Sequence, residues 1–146
     1  MDQEQIADII EIQQLLARYA VGMTQDDIHA VMNVFTADGT YSAFGETYPM
    51  DDFPVLASAA PKGLYTTGTP ALDLDGDVGT GVQTLCFVSQ TDHEMRIGYY
   101  TDTYRRTPEG WRLATRKMTF LRRSGARDSG RAHDPGRPLP SKHAAS

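Results

Sequence analysis

Cysteine and long apolar runs are scarce in this 146-residue sequence. The single cysteine, Cys86, excludes an intramolecular disulfide, so a reducing cytoplasm is the expected location. No apolar stretch approaches the roughly 20 residues that span a bilayer. The first ten residues, MDQEQIADII, are acidic and lack the basic region of a secretion signal. The sequence therefore predicts a cytoplasmic globular protein that does not enter a membrane.

Basic residues are also scarce, except near the C-terminus. Residues 122–146 hold six basic and two acidic side chains, which leaves eight basic and 17 acidic side chains in residues 1–121. The acidic body repels a phosphate backbone, so nucleic-acid binding is not expected. Residues 124–146 are rich in Gly, Pro and Arg and cannot form a core of their own. We expect one domain over residues 1–123 with a C-terminal tail over residues 124–146.

Two helices are predicted at the start of the chain. Apolar side chains recur there at three- and four-residue spacing, which is typical of one buried helical face: Ile6, Ile9, Ile12, Leu16, Tyr19, Ala20 and Met23. Asp26 or Asp27 suits the N-cap of a second helix, which is expected to end at Gly39. The two helices should form a hairpin, and a short third helix is expected over residues 51–60.

Strands are predicted for most of the remaining body. The clearest signal runs from Met95 to Leu121, where two segments of apolar–polar alternation flank the turn Pro108-Glu109-Gly110. Earlier strands are expected over residues 40–44, 64–74 and 81–90, the second of them weakened at Gly68 and Pro70. This order predicts an α+β fold, in which a curved antiparallel sheet wraps around the helix hairpin and the third helix.

Four segments carry a resemblance to a known family: IxxLLxRYAxGM (Ile12 to Met23), DDxxxxxxxFTADGTY (Asp26 to Tyr41), LDGD (Leu74 to Asp77), and GYYTDTYRRTPEGWRLATRKMTFLRR (Gly98 to Arg123). Their order and spacing resemble the NTF2-like superfamily, and within it the SnoaL-like and scytalone-dehydratase-like proteins. The resemblance implies an NTF2-like cone with a pocket for a hydrophobic small molecule. It also implies a homodimer that pairs through the sheet.

The chain departs from the dehydratase-like pattern at two positions. Those proteins place a carboxylate just after the first helix and a histidine on the strand before the LDGD-type turn. Here Thr24 stands at the first position, and residues 64–68 contain no histidine. These residues therefore do not supply the carboxylate and the histidine that the acid–base chemistry of the dehydratase-like proteins uses.

Three other side chains are the candidate catalytic group. Asp102 is the candidate base, and Tyr19 and Tyr100 are the candidates for polarising a substrate oxygen. Tyr100 and Asp102 share one strand face by the two-residue period. Two alternatives remain open: Tyr19 is a core tyrosine with a satisfied hydroxyl, and Asp102 pairs with Arg116 or Lys117 on the next strand.

A second group is expected to bind substrate through hydroxyls and apolar contacts: Thr24, Tyr41, Tyr65, Thr67, Met23 and Phe35. Strands favour Thr and Tyr for packing reasons as well. Asp26 and Asp27 resemble a paired-carboxylate site, but helix capping explains them more simply. Cys86 lies between Leu85 and Phe87 and is expected to be an inert core thiol.

The histidines do not predict a metal site, because His29, His93, His133 and His143 have no ligand-like spacing. No motif for a phosphate-binding loop or a nucleophile is present, so no cofactor is expected. His133 is a candidate to return an imidazole to the pocket if the tail folds over it.

Three hypotheses about function follow from these patterns. The first is a cofactor-independent lyase, isomerase or cyclase that moves protons on a hydrophobic oxygenated ring compound: a polyketide, steroid or aromatic metabolite. The second is a noncatalytic protein that binds such a compound. The third is an interaction module that dimerises through its open sheet face.

Overall fold

A computed structural model describes residues 1–121 of the chain. The elements follow one another as α1 (Gln3–Gln25), α2 (Ile28–Met32), β1 (Phe35–Ala43), β2 (Glu46–Pro49), α3 (Phe53–Ala59), β3 (Gly63–Thr67), β4 (Ala71–Asp75), β5 (Val78–Ser89), β6 (Met95–Thr107) and β7 (Gly110–Leu121). Helices near the N-terminus pack against a curved sheet that is not closed into a barrel. The predicted α+β, NTF2-like architecture is confirmed.

The first helix lies where it was predicted, although Ile6 of the predicted buried face is 44 % exposed. Asp2 caps it, and its carboxylate accepts the backbone N–H of Gln5 at 2.8 Å, which completes a capping box with the Gln5 side chain. The helix ends at Asp26, whose φ of 58° is left-handed, and the Asp26 carboxylate pairs with Lys62 at 2.7 Å. Asp27 caps α2 by accepting the N–H of Ala30, so the N-cap prediction is confirmed for Asp27.

The second helix is shorter than predicted. It ends at Met32, and the chain enters β1 at Phe35 instead of remaining helical to Gly39. The backbone N–H of Leu113 donates to the carbonyl of Val34 at 2.9 Å, and Phe35 pairs with Leu113 in the sheet. Pairing with a distant strand therefore overrides the local helical spacing of Val31 and Phe35.

The seven strands form one mixed sheet in the order β2-β1-β7-β6-β5-β3, and β4 also pairs with β5. All pairs are antiparallel except β1 with β7, which is parallel. The strand predicted over residues 64–74 is divided into β3 and β4 around Gly68 and Pro70, and β2 was not predicted. The β6–β7 hairpin is confirmed.

A bulge in β7 controls which of its side chains face the core. Thr103 pairs with Thr115 and Tyr104 pairs with Leu113, so Ala114 is the extra residue between them. Leu113 and Arg116 are therefore both buried, although an uninterrupted strand would turn them to opposite faces.

One end of the core is closed by a polar cluster around the only tryptophan. The Asp8 carboxylate of α1 accepts hydrogen bonds from both terminal nitrogens of Arg106 at 2.9 Å and from the indole N–H of Trp111 at 3.0 Å. The Arg106 guanidinium carbon lies 4.8 Å from the centre of the Trp111 ring, and Arg106 also binds Asp77 at 2.8 Å. These contacts fasten α1 to the β6–β7 hairpin.

The Asp8 carboxylate makes stability dependent on pH. Hydrogen bonds from Arg106 are the main cause that lowers the pKa of Asp8 below its ordinary value of 3.8. A carboxylate whose pKa is lower in the folded protein than in the unfolded chain stabilises the fold at pH values above its unfolded-state pKa. That contribution is lost as the pH falls through the folded-state pKa. We expect the difference in unfolding free energy between wild type and Asp8→Asn to be constant from pH 7 to 5 and to shrink below about pH 4. Urea titrations across this range measure it, and a pH-independent difference would contradict it.

No helix among the described residues is both long and apolar enough to cross a membrane.

Candidate functional site

A fully buried ion pair lies on the inner face of the sheet, where β5, β6 and β7 meet. Arg116 of β7 donates from Nε to Oδ1 of Asp102 and from Nη2 to Oδ2, both at 2.9 Å. Both residues are 1 % exposed. Nη2 also donates to Oε1 of Gln83 at 2.9 Å, and the Gln83 amide nitrogen donates to the carbonyl of Gly68 at 2.9 Å. The pair is thus held from three strands.

Both oxygens of Asp102 are engaged. Oδ1 accepts from Arg116, and Oδ2 accepts from Arg116 and from the hydroxyl of Tyr104 at 2.9 Å. Burial is the main cause that raises the pKa of Tyr104, with the nearby Asp102 charge adding to it. Of the two alternatives left open by the sequence for Asp102, this geometry favours pairing with Arg116.

Two tyrosine rings pack against the guanidinium of Arg116. Its central carbon lies 3.7 Å from the ring centre of Tyr100 and 4.4 Å from that of Tyr19. The two rings meet edge to face, with their centres 5.7 Å apart. Among the described residues, Nη1 of Arg116 has no hydrogen-bond partner although it is buried. Within residues 1–121 the guanidinium therefore has hydrogen-bond partners along the edge formed by Nε and Nη2 and none at Nη1.

Four tyrosines form a cluster next to Arg116: Tyr19 and Tyr100 pack on its guanidinium, and Tyr41 and Tyr65 lie near these two. Burial is the largest cause that raises the pKa of Tyr19, Tyr41 and Tyr100, and the neighbouring phenols add to it for Tyr41 and Tyr100. Arg116 acts in the opposite direction on all three. These tyrosines therefore keep their protons at neutral pH and offer hydroxyl donors, not bases.

The cluster extends from the interior towards the surface. Tyr19 and Tyr100 are each 1 % exposed, whereas Tyr41 and Tyr65 are only partly buried. The partly buried Met23, Met32 and Leu56 pack on the same core. A row of phenols thus connects the partly exposed side chains of β1 and β3 to the guanidinium of Arg116.

Most of the predicted site residues lie in or next to the tyrosine cluster. Asp102, Tyr19 and Tyr100 contact Arg116, and Tyr41 and Tyr65 lie next to these tyrosines. Phe35 packs on Tyr19 with ring centres 6.2 Å apart, and Met23 packs at the edge of the core.

The two predicted threonines make no hydrogen bond to the ion pair within residues 1–121. Thr24 donates to the carbonyl of Ala20 at 2.8 Å and accepts the backbone N–H of Tyr65 at 3.0 Å, so its hydroxyl fastens the end of α1 to β3. Thr67 lies at the end of β3, opposite Leu85. Neither contact excludes ligand binding, and both assignments stay predictions.

The titratable groups outside this cluster do not build a second centre within residues 1–121. His29 and His93 are exposed, and no group of three potential metal ligands is present there. His133 and His143 lie outside the described residues. Asp8 and Asp102 are the only buried carboxylates of the described chain.

The sequence interpretation named Arg116 only as an alternative partner of Asp102, and it missed Gln83. One signal for Arg116 was present. Trp111 and Leu113 follow an odd-numbered apolar alternation, whereas Met118 and Phe120 follow an even-numbered one. A bulge must lie between them, and it turns Arg116 inward with the even set. Nothing local in the sequence distinguishes Gln83 from an exposed glutamine.

The family model of the SnoaL-like domain matches residues 4–117 of this chain. Uncharacterized proteins of Mycobacterium bovis and Mycobacterium tuberculosis are 30 % identical to this chain over 135 residues, covering 79 % of this chain and 86 % of theirs.

Solved structures show the same fold. A protein of unknown function from Mycobacterium tuberculosis superimposes with a TM-score of 0.74 at 26 % identity, covering 80 % of this chain and 77 % of its own. A provisionally assigned scytalone dehydratase from Novosphingobium aromaticivorans gives 0.74 at 15 % identity, covering 91 % and 100 %. A hexachlorocyclohexane dehydrochlorinase from Novosphingobium barchaimii gives 0.72 at 14 % identity, covering 92 % and 99 %.

Proposed function

Because the chain belongs to the SnoaL-like domain family, we propose that it binds a hydrophobic, oxygenated ring compound between α1 and the sheet and moves a proton on it without a cofactor. The reaction class is that of a lyase, isomerase or cyclase, and the substrate class is a polyketide, steroid or aromatic metabolite. The observation that supports this proposal is the tyrosine cluster over a buried, partly unsaturated guanidinium.

The chemistry of the cluster fits a substrate oxygen. Tyrosine hydroxyls and a guanidinium N–H stabilise negative charge that develops on a carbonyl oxygen, and this makes a neighbouring C–H bond more acidic. Because the surrounding tyrosines retain their protons, one of them can also donate to that oxygen. Tyr19 and Tyr100 keep in this proposal the polarising role that the sequence suggested.

Asp102 has two possible roles in this reaction. As a base it must exchange a bond to Arg116 or Tyr104 for the substrate proton, whereas as a positioning residue it only holds Arg116 in place. Removal of a substrate proton needs an acceptor, and Asp102 is the buried carboxylate of this cluster, so proton transfer in this proposal uses Asp102 as the base. If Asp102 only positions Arg116, the described cluster supplies no base, which accords with the noncatalytic alternative. Asp102→Asn tests the base role on any compound that is turned over: loss of turnover with the fold intact supports it, and retained turnover contradicts it.

A thermal-shift screen against sterols, fused-ring aromatics and polyketide-like phenols, with product analysis of every hit, tests the proposal. Stabilisation with a changed product supports it. Stabilisation with every compound recovered unchanged supports the alternative function, a noncatalytic binding protein. That alternative is favoured by one specific observation, namely that both oxygens of the interior carboxylate Asp102 are already hydrogen-bonded.

We also propose that the outer face of the sheet pairs with a second copy of the chain. Apolar side chains of four strands are exposed there: Leu64 by 50 %, Val82 by 44 %, Met95 by 69 %, Ile97 by 47 % and Leu121 by 36 %. Cross-strand pairs make them neighbours, since Ile97 lies opposite Cys86 and Leu121. The outward positions of β5 to β7 carry no carboxylate, and their exposed charged side chains are the basic Arg105 and Lys117.

Ile97→Lys is expected to convert a dimer into a monomer, because it places a charge in the middle of this face on both copies. Light scattering coupled to size-exclusion chromatography measures the mass. Val21→Lys is the matched control, since Val21 is 53 % exposed on α1, away from the sheet. A monomeric wild type, or a dimer that survives Ile97→Lys, would contradict pairing through this face.

A further inference from the structure

Nη1 of Arg116 is the strongest unexplained polar group among the described residues. It is a charged donor with two N–H bonds, its residue is 1 % exposed, and it has no hydrogen-bond partner within residues 1–121. A buried donor left unsatisfied destabilises the protein, and more so when it is charged. Gln83, Asp102 and Tyr104 satisfy the other polar atoms of the ion pair. We therefore expect an acceptor for Nη1.

Planar geometry determines where Nη1 points. The edge formed by Nε and Nη2 faces Asp102, and the second N–H of Nη2 serves Gln83. In a planar guanidinium, Nη1 then lies on the edge away from the carboxylate. The rings of Tyr19 and Tyr100 pack against the guanidinium about a right angle apart, since their centres lie 4.4 and 3.7 Å from its central carbon and 5.7 Å from each other. Nη1 is therefore the guanidinium nitrogen without a hydrogen-bond partner in the part of the chain that the structure describes, and Tyr19, Tyr41 and Tyr100 lie close enough to Arg116 for its charge to act on their phenols.

We infer that this edge is a binding site for an oxygen that carries negative charge, such as an enolate, phenolate or carboxylate oxygen of the ligand. The site consists of Nη1 of Arg116 together with the hydroxyls of Tyr19 and its neighbours in the tyrosine cluster. This inference deepens the proposed function, on which it rests, by naming the charge state of the ligand group that the protein selects.

Distance decides the sign of the electrostatic effect. The ion pair as a whole is neutral, but a ligand oxygen at Nη1 is in direct contact with the cation, while the Asp102 carboxylate lies beyond the opposite edge. Coulomb energy falls with distance, so attraction by Arg116 exceeds repulsion by Asp102. Hydrogen bonds to a charged oxygen are roughly twice as strong as those to a neutral one. The site therefore favours the anion over its protonated form.

The wild-type protein tests this directly with 4-nitrophenol, whose neutral and anionic forms have different absorption spectra. We expect binding to lower the apparent pKa of the probe by about one unit or more, which is a tenfold preference for the anion. Asp102→Asn/Arg116→Gln, a double variant that removes both charges at once, is expected to bind the neutral form and to lose this preference. Tyr19→Phe, which keeps its ring over Arg116, is expected to reduce the preference in part.

Two results would overturn the inference. An unchanged or raised probe pKa on binding would show that the site prefers the neutral phenol, which leaves the proposed function standing. No binding of either form at millimolar concentration would also overturn it, and the thermal-shift screen, which does not use this probe, then decides the proposed function separately.

Discussion

Arg116→Met is expected to lower the free energy of unfolding by about 3–5 kcal/mol, because it leaves the Asp102 carboxylate buried without its cation. Arg116 has no exposed surface through which water could replace the lost contact. The hydroxyl of Tyr104 remains as a partner but carries no charge. Urea unfolding followed by the fluorescence of Trp111 measures the change.

The matched control removes both charges. Asp102→Leu/Arg116→Met replaces the ion pair with apolar side chains, and such replacements are often neutral or stabilising. We expect the double variant to recover most of the stability that Arg116→Met loses. A single variant within 1 kcal/mol of wild type, or a double variant less stable than the single one, would contradict the account of a buried, mutually dependent pair.

Trp111→Ala is the second change with a large expected effect, also about 3–5 kcal/mol. The tryptophan has no exposed surface, and its indole N–H satisfies Asp8. Truncation therefore creates a cavity and removes a donor from a buried carboxylate at once. Unfolding must be followed by circular dichroism, since the variant has no tryptophan.

Trp111→Phe separates the two contributions. It keeps most of the ring that packs under Arg106 but cannot donate to Asp8. We expect a loss of about 1–3 kcal/mol, smaller than that of the alanine variant. Equal losses in the two variants would show that cavity volume contributes little at this position.

The fold was predictable where the pattern is local. The alternation from Met95 to Leu121 and the turn between its halves define β6 and β7 without reference to other parts of the chain. The apolar spacing of α1 is local in the same sense. Each of these elements lies within a residue or two of its predicted bounds.

Long-range pairing explains where the prediction was wrong. Val31 and Phe35 are four residues apart and fit one helical face, yet Phe35 lies in a strand because it pairs with Leu113. The parallel β1–β7 pair joins segments about 75 residues apart, and no local pattern reports it. Local spacing alone cannot decide between two periods that both bury Phe35.

The candidate site was predictable in its tyrosines and not in its electrostatics. Tyr19 and Tyr100 were identified from the helical and strand periods, and the structure places both rings on Arg116. The partners of Arg116 come from β5 and β6, so they depend on sheet register. Register is fixed by the whole sheet, which is why Gln83 could not be identified from its own surroundings in the sequence.

The most direct test of the central claim, that a ligand oxygen binds at the tyrosine cluster, compares two hydroxyl deletions by calorimetric titration of the strongest hit from the screen. Tyr19→Phe removes a hydroxyl beside Arg116, whereas Tyr99→Phe removes one from the opposite side of the sheet, where Tyr99 lies opposite Thr84 and Thr119. The account predicts that affinity falls about 10- to 100-fold in Tyr19→Phe, as expected for one lost hydrogen bond to a polarised oxygen, and stays within about twofold in Tyr99→Phe. Unchanged affinity in Tyr19→Phe, or equal losses in both variants, would contradict it.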